Sequence, residues 1–301
     1  MKKIITILIF CLAVFCGSLC AEVLTVATYN VENFCLEDRM IDGVFHQKYP
    51  KPESEIAALV QVIKAMNPNV LAMQEMGGPD FLAELQGRLK LVGLDYPYST
   101  IMPGGDPERH EALLSREKFQ AFHFQNLLFK YEGEERPVLR GLLEARFTTP
   151  EGKRWDLFVV HLRSKISKNG NDPESDDYRV GEAGAVREQI LKLEPEGSPY
   201  LLVGDFNDGP KSSALKRFLT KGDAQLLEMT HPLDEHGEEW TERWEGHGEL
   251  SEIDYILGSP PMMMSVVPDS VHIYDGPGVM NASDHRPIFV KIDTLKIGGK
   301  R

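Results

Sequence analysis

The chain has 301 residues, 42% of them hydrophobic and 26% charged, and carries a formal net charge of −13. This composition is ordinary for a globular protein, long enough for one large α/β domain, and no internal repeat or low-complexity tract interrupts it. The acidic excess argues against tight tracking along nucleic acid, because such affinity comes mainly from Lys and Arg neutralising phosphates; it leaves room for an enzyme that cuts and departs.

The first twenty residues stand apart. Lys2-Lys3 followed by an uncharged run over 4–19 reads as a secretory signal, with the small residues Ser18 and Cys20 where a signal peptidase inspects the chain. Cleavage after Cys20 would start the mature protein at Ala21 and export it to a periplasm or the extracellular space, leaving 21–301 as a single domain. An uncleaved anchor is the first alternative, but the apolar run of about sixteen residues falls short of the roughly 20 that span a bilayer. A lipoprotein signal through Cys20 is the second, and bulky Leu19 stands where such signals prefer a small residue. Cys11, Cys16 and Cys20 leave with the signal, so Cys35 is the one mature cysteine and no internal disulfide is expected. Loss of Lys2 and Lys3 takes the formal charge from −13 to −15.

An apolar, β-branched run over 24–29 predicts the first strand. A loop containing 48–52 leads to a helix over 54–66, whose Ile56, Leu59, Val60 and Ile63 form one stripe and which Asn67-Pro68-Asn69 stops. A strand follows over 70–73, a second amphipathic helix over 81–89, and a strand at Ala112-Leu113-Leu114. The runs 122–129, 139–147 and 155–160 read as successive β segments. A polar loop over 165–177 precedes a helix over 178–193, and 200–203 is again a strand. Pattern alone supports an α/β fold with many antiparallel neighbours.

Six polar islands stand at or just past the ends of apolar runs. They are Tyr29-Asn30-Val31-Glu32-Asn33, Gln74-Glu75, His161-Leu162-Arg163-Ser164, Gly204-Asp205-Phe206-Asn207, Ile253-Asp254-Tyr255 and Ser283-Asp284-His285. Strand ends are where a rigid sheet converges side chains from distant parts of a chain. Carboxylates, amides and two histidines gathered in one place suit metal-assisted attack of water on a phosphoester. Asp205 and Asn207 lie two apart, so on an extended segment both side chains point the same way. Alone, that motif would also read as a turn with an Asx cap.

In their letters and their order, from about Leu24 to Ile292, these islands resemble the endonuclease/exonuclease/phosphatase superfamily, which includes deoxyribonucleases, neutral sphingomyelinases and inositol polyphosphate 5-phosphatases. The resemblance implies a four-layer sandwich, two mixed β-sheets packed face to face and flanked by helices, with the site at one edge of the sheets. It implies Mg²⁺ or Mn²⁺ on Glu75, supported by Asn30 and Asp284; Glu32 is either a residue behind those ligands or a ligand to a second ion. It implies that Asp205 orients or deprotonates the attacking water, that Asn207 donates to the developing phosphorane oxygens, and that His161 and His285 stabilise charge there. Asp254 matches the aspartate that buttresses the last histidine, and Glu111 the glutamate that pairs with the middle one.

His161 stands near a position that is tyrosine in apurinic-site endonucleases, so this chain leans toward the deoxyribonuclease, sphingomyelinase and general phosphodiesterase branches. Arg163, Lys165 and Arg179 either form a cationic rim for the phosphate or pair with the acidic loop 172–177. In 228–250, Trp240 and Trp244 either stack on a substrate or anchor a long loop; Met262-Met263-Met264 fills the core or faces a lipid or partner. The expected function is an exported endonuclease with nucleic acid, DNA first, as substrate. The runner-up substrate is a phospholipid headgroup or small phosphodiester, and a binding protein that has lost the chemistry is a third reading.

Overall fold

The computed structural model describes residues 23–298 apart from 245 and 247. The expected signal peptide, its cleavage point and the cysteines it carries lie outside the described residues. Two six-stranded sheets make the centre. In spatial order the first is His272–Ile273, Ile288–Asp293, Val23–Phe34, Val70–Met76, His110–Ser115 and Tyr98–Ile101. The second is Glu228–Met229, Asp254–Gly258, Tyr200–Asp205, Arg154–His161, Leu142–Thr148 and Phe119–Phe124. Each sheet has one parallel pair at its middle, Val23–Phe34 beside Val70–Met76 and Arg154–His161 beside Tyr200–Asp205, and antiparallel neighbours outside it.

Period-two alternation builds the layers. Val26, Val70 and Leu113 of the first sheet face Leu157, Val203 and Ile256 of the second in a dry core. The opposite face of the first sheet, with Ala27, Tyr29 and Met73, packs on the helices Glu53–Met66 and Pro79–Leu91. That of the second, with Phe158, Leu202 and Tyr255, packs on Asp176–Leu193 and Ser213–Leu219. The result is the helix–sheet–sheet–helix sandwich. Met262 is fully buried in the central core, so the methionine run fills space rather than facing a partner.

Register brings the islands to one edge. Asn30 lies opposite Gln74, His161 opposite Asp205, and Asp205 opposite Asp254. Beyond those rows the backbone leaves the extended region: Glu32, Asn33, Glu75 and Asn207 have φ of 46°, 49°, 62° and 52°. Left-handed conformations cost non-glycine residues of order 1–3 kcal/mol and cluster at functional sites.

Two stretches differ from expectation. Residues 37–49, expected as loop, form a hairpin of Glu37–Ile41 and Val44–Tyr49 that joins neither large sheet. Its turn is Asp42-Gly43, both at positive φ, a dipeptide suited to two-residue hairpin turns. The single segment expected over 122–129 is two strands: Phe119–Phe124 joins the second sheet, while Leu128–Tyr131 turns away to pair with Glu134–Pro137.

Gly204 is the backbone position on which the edge turns. It has φ of 139°, and a Cβ there would lie 1.9 Å from the Val160 carbonyl oxygen of the parallel neighbour. Gly204→Ala therefore forces the His161 and Asp205 strands apart. Equilibrium denaturation of this variant is expected to show a loss of roughly 3 kcal/mol; an unchanged stability would contradict the packing described.

Candidate active site

Asp205 ends a central strand of the second sheet, and its carboxylate is the hub. Oδ2 accepts from Asn30 Nδ2 at 3.0 Å and lies 3.4 Å from His161 Nε2 and 4.0 Å from His285 Nε2. Oδ1 accepts the Asn207 backbone N–H at 2.8 Å. Burial pushes this carboxyl up to about 8, with the Asp254 charge adding to the shift, against the pull of His285, the Asn207 amide and Asn30.

The two imidazoles differ in charge. Burial works against protonation of His285, but Asp254, which accepts from Nδ1 at 2.8 Å, together with Asp284 and Asp205 holds its pKa well above the ordinary histidine value. His285 is thus an imidazolium. Burial, aided by Arg140, His285 and Arg109, holds His161 well below its ordinary value and keeps it neutral. The expected pairing of Glu111 with His161 is not made. Both Glu111 carboxyl oxygens and His161 Nδ1 are buried without a hydrogen-bond partner. Burial first of all pushes Glu111 up to about 8, with Glu182 adding, against the pull of the backbone N–H groups of Glu111 and His161 and of the Arg140 charge.

The predicted metal ligands surround the hub. Glu75 Oε2 accepts the Asn33 N–H at 2.8 Å, and Oε1 lies 4.0 Å from His161 Nε2. Asp284 Oδ1 lies 3.9 Å from His285 Nε2, and its backbone N–H donates to Glu32 Oε2 at 3.2 Å. Asn30 Oδ1 accepts the Glu32 N–H at 3.0 Å. Glu32 is pushed up to about 7, by burial above all, with Asp284 and Glu55 adding and Lys51 opposing; burial likewise raises Asp284, with Glu75 and Glu242 adding. Lys51 Nζ holds Glu32 through its carbonyl at 2.9 Å and its carboxylate at 3.4 Å. Buried Asp205 and half-buried Glu32 and Asp284, all raised, fit a hard divalent cation bound by oxygen. One carboxylate–histidine cluster here, Asp205, Asp254 and His285, has ligand atoms within 4.8 Å of one another. Its His285 Nδ1 already serves Asp254; Glu75, Asp284 and the Asn30 carbonyl are the residues that could hold an ion instead.

Asn207 Nδ2 donates to the Leu162 carbonyl at 3.0 Å, so one of its two N–H bonds is engaged and one remains for an oxyanion. Of the expected cationic rim, Arg179 is fully buried and pairs with Asp176 and with Asp208. Arg163 stacks on Tyr178 and donates to Ser175, leaving exposed Lys165 on the rim.

Three supports were not read from the sequence. Thr241 Oγ1, fully buried, accepts the N–H groups of Ile253 and Asp254 at 3.1 and 3.0 Å and aims the Asp254 strand. The Glu182 carboxylate accepts the N–H of Leu139 at 2.9 Å and of Arg163 at 2.8 Å, holding the segment after His161. Ser283 Oγ donates to the Asn30 carbonyl at 2.8 Å and accepts the His285 N–H at 3.1 Å, joining the last island to the first. Ser283 stood within a quoted island and Glu182 one helical turn after Arg179; Thr241 had no local signal.

The model of the endonuclease/exonuclease/phosphatase family matches residues 27–285, which contain every sequence-predicted site residue. The chain belongs to that family. It is therefore a phosphoesterase, of a family whose members are hydrolases typically dependent on a divalent metal. The fold is similar to the catalytic domain of human nocturnin with bound sulfate, at 17% identity and TM-score 0.64, covering 89% of this chain and 93% of that one. It is similar to an endonuclease/exonuclease/phosphatase protein of Bacteroides vulgatus, at 16% and 0.63, covering 90% and 98%. It is also similar to a mannosyl-6-phosphatase of Bacteroides thetaiotaomicron, at 18% and 0.57, covering 89% and 98%. No curated protein sequence matches.

The carboxyl shifts give a pH signature. Asp205 and Glu32, raised to about 8 and about 7, favour the fold most when protonated. Their contribution is complete below the ordinary carboxyl range near 4 and is lost as pH rises through 7 to 8; raised His285 acts in the same direction. The metal-free protein should melt at a lower temperature at pH 9 than at pH 6, and Mg²⁺ should raise that temperature more at pH 9. Equal Mg²⁺ shifts at both pH values would contradict the carboxylate cluster as the cation's seat.

Proposed function

We propose that this chain is an exported, Mg²⁺- or Mn²⁺-dependent phosphodiesterase that cleaves by in-line attack of water. The observation that carries the reading is the Asp205 carboxylate, held beside a neutral and a charged imidazole at the meeting of both sheets. A group poised near pH 8 is well matched to accept a proton from water. The His285 imidazolium and the neutral His161 would donate to the non-bridging oxygens, and the second N–H of Asn207 would hold one of them as charge develops. An ion bound by Glu75, Asp284 and Asn30 would supply charge neutralisation of the phosphate and leaving oxygen.

Two substrate classes fit this chemistry, nucleic acid cut internally and a lipid or small-molecule phosphodiester. One observation favours the second. Cations around the site are paired: buried Lys51 with Glu32 and Glu55, buried Arg140 with Asp106, and half-buried Arg109 with Glu37. The cleft of about 490 Å³ beside Asn207 is lined by Glu174, Glu242 and Glu249 against the single Lys165. A polyanionic strand would bring phosphates against those carboxylates with few counter-charges to replace its own ions. The mannosyl-6-phosphatase of similar fold is a precedent for a small phosphate ester on this architecture.

The test is a panel in Mg²⁺, Mn²⁺ or EDTA, using the chain from Ala21, which retains every described residue. Metal-dependent hydrolysis of bis(p-nitrophenyl) phosphate and glycerophosphodiesters should outpace nicking of supercoiled plasmid, and Asp205→Asn should lower it by about 10²–10⁴-fold. Faster plasmid nicking would restore the endonuclease reading. No metal-dependent hydrolysis of any diester would overturn the function.

A further inference from the structure

The pairing of Val23–Phe34 with Val70–Met76 breaks at the site. Asn30 lies opposite Gln74 and Phe34 opposite Met76, so Val31, Glu32 and Asn33 face the single residue Glu75. On the other side of Glu75 the register toward His110–Ser115 shifts between Met73 and Met76. Glu75 therefore has no partner in either register, and Glu32, Asn33 and Glu75 all take left-handed conformations there. Irregularities of this kind re-aim a side chain and end regular pairing, so something other than the ladder must hold Glu75.

That part falls to Asn33, whose N–H donates to Glu75 Oε2 at 2.8 Å. With Oε2 engaged the carboxylate cannot turn freely, and Oε1 is left on the His161 side. Asn33 is itself held twice. Arg109 Nε donates to its Oδ1 at 2.6 Å, and the Arg39 guanidinium donates to its carbonyl at 2.5 Å. Arg39 stands in the hairpin at 37–49, and a second nitrogen of Arg109 donates to Glu37 of that hairpin at 2.6 Å. Among the described residues, the side-chain bonds that tie this hairpin to the rest of the chain thus converge on one asparagine. Burial works against the Arg109 charge, yet Glu75 foremost, then Glu37 and Asp106, hold its pKa above the ordinary arginine value, so the guanidinium also answers to the metal ligand.

We propose that Asn33 and Arg109 are positioning residues for the Glu75 carboxylate, and that through them the hairpin at 37–49 is coupled to the divalent cation. The inference rests on the metal-dependent reading of the site. Groups that orient a ligand from behind change metal affinity by roughly 10–100-fold. The coupling runs both ways: what the cation gains from an ordered Asn33, the hairpin gains from a bound cation. The hairpin joins neither large sheet, so its order depends on few bonds and responds to each of them.

The chain from Ala21 is titrated calorimetrically with Mn²⁺, and its deuterium uptake is followed by mass spectrometry with and without Mg²⁺. Asn33→Gly keeps the left-handed backbone and the N–H to Glu75 and removes only the side-chain amide. It should bind Mn²⁺ about tenfold more weakly, as should Arg109→Gln and, from the hairpin side, Arg39→Gln. Asn33→Asp keeps an oxygen for Arg109 in a residue type that tolerates the same backbone, and should retain the wild-type affinity. Mg²⁺ should slow exchange at 37–49 while leaving the hairpin at 128–137, which shares no bond with Asn33 or Glu75, unchanged; Arg39→Gln should abolish that protection. Full affinity in Asn33→Gly and Arg39→Gln, even with a lowered metal-free melting temperature, would show that the tethers only hold the hairpin and would overturn the inference. Exchange at 37–49 indifferent to Mg²⁺ would overturn it as well, and both results leave the metal site standing. A wild-type chain that binds no Mn²⁺ would overturn the metal reading and the inference with it.

Discussion

The bond between Asn30 and Asp205 is the constraint on which the rest of the molecule depends. Two buried polar side chains 175 residues apart meet at 3.0 Å, one in a central strand of the first sheet where its pairing shifts register and one at the end of a central strand of the second. Neither could be left alone in a dry interface without a cost of about 1–3 kcal/mol. Their meeting fixes how far each strand extends and which edge of the sandwich is shared. A one-residue slip in either parallel pair would turn its polar group to the opposite face of the sheet. Gly204 lets the Asp205 strand approach Val160, and Ser283 brings the final island back to the first.

Electrostatics follow from that geometry. Gathering Asp205, Glu32 and Asp284 under cover raises all three, which is unfavourable for the empty cluster near neutral pH and favourable for a cation. The same field separates the two histidines. His285 has Asp254 at hydrogen-bond distance and stays charged, while His161 has no carboxylate on Nδ1 and stays neutral. One site thus presents a donor that carries charge and a donor that does not, both within 4.0 Å of the same carboxylate oxygen.

Much of this was legible in the chain, for a physical reason. Active groups placed at strand ends follow apolar runs, so 24–29, 70–73 and 200–203 announce both the strand and what comes next. The helix ending at Met66 was equally plain, since Asn67 adopts the left-handed conformation that its residue type tolerates. What failed to show were features set by tertiary contact. Thr241 matters only because it meets the Asp254 strand, and Arg179 and Glu182 are buried by a loop whose path no local pattern gives. Glu111 shows what motif order alone does not give: it lies buried against the His161 segment, yet its carboxyl makes no hydrogen bond to the imidazole Nδ1. The Asp42-Gly43 turn was visible in the letters, but the flanking residues lack the alternation that would have marked a hairpin.

The central claim is that residues from separate islands form one oxygen-lined cation site beside Asp205. Calorimetric titration of Mn²⁺ into the wild-type chain and into Glu75→Gln and Asp284→Asn tests it directly. The account predicts saturable binding in the wild type that weakens at least about tenfold in each variant; affinity retained in both would contradict it.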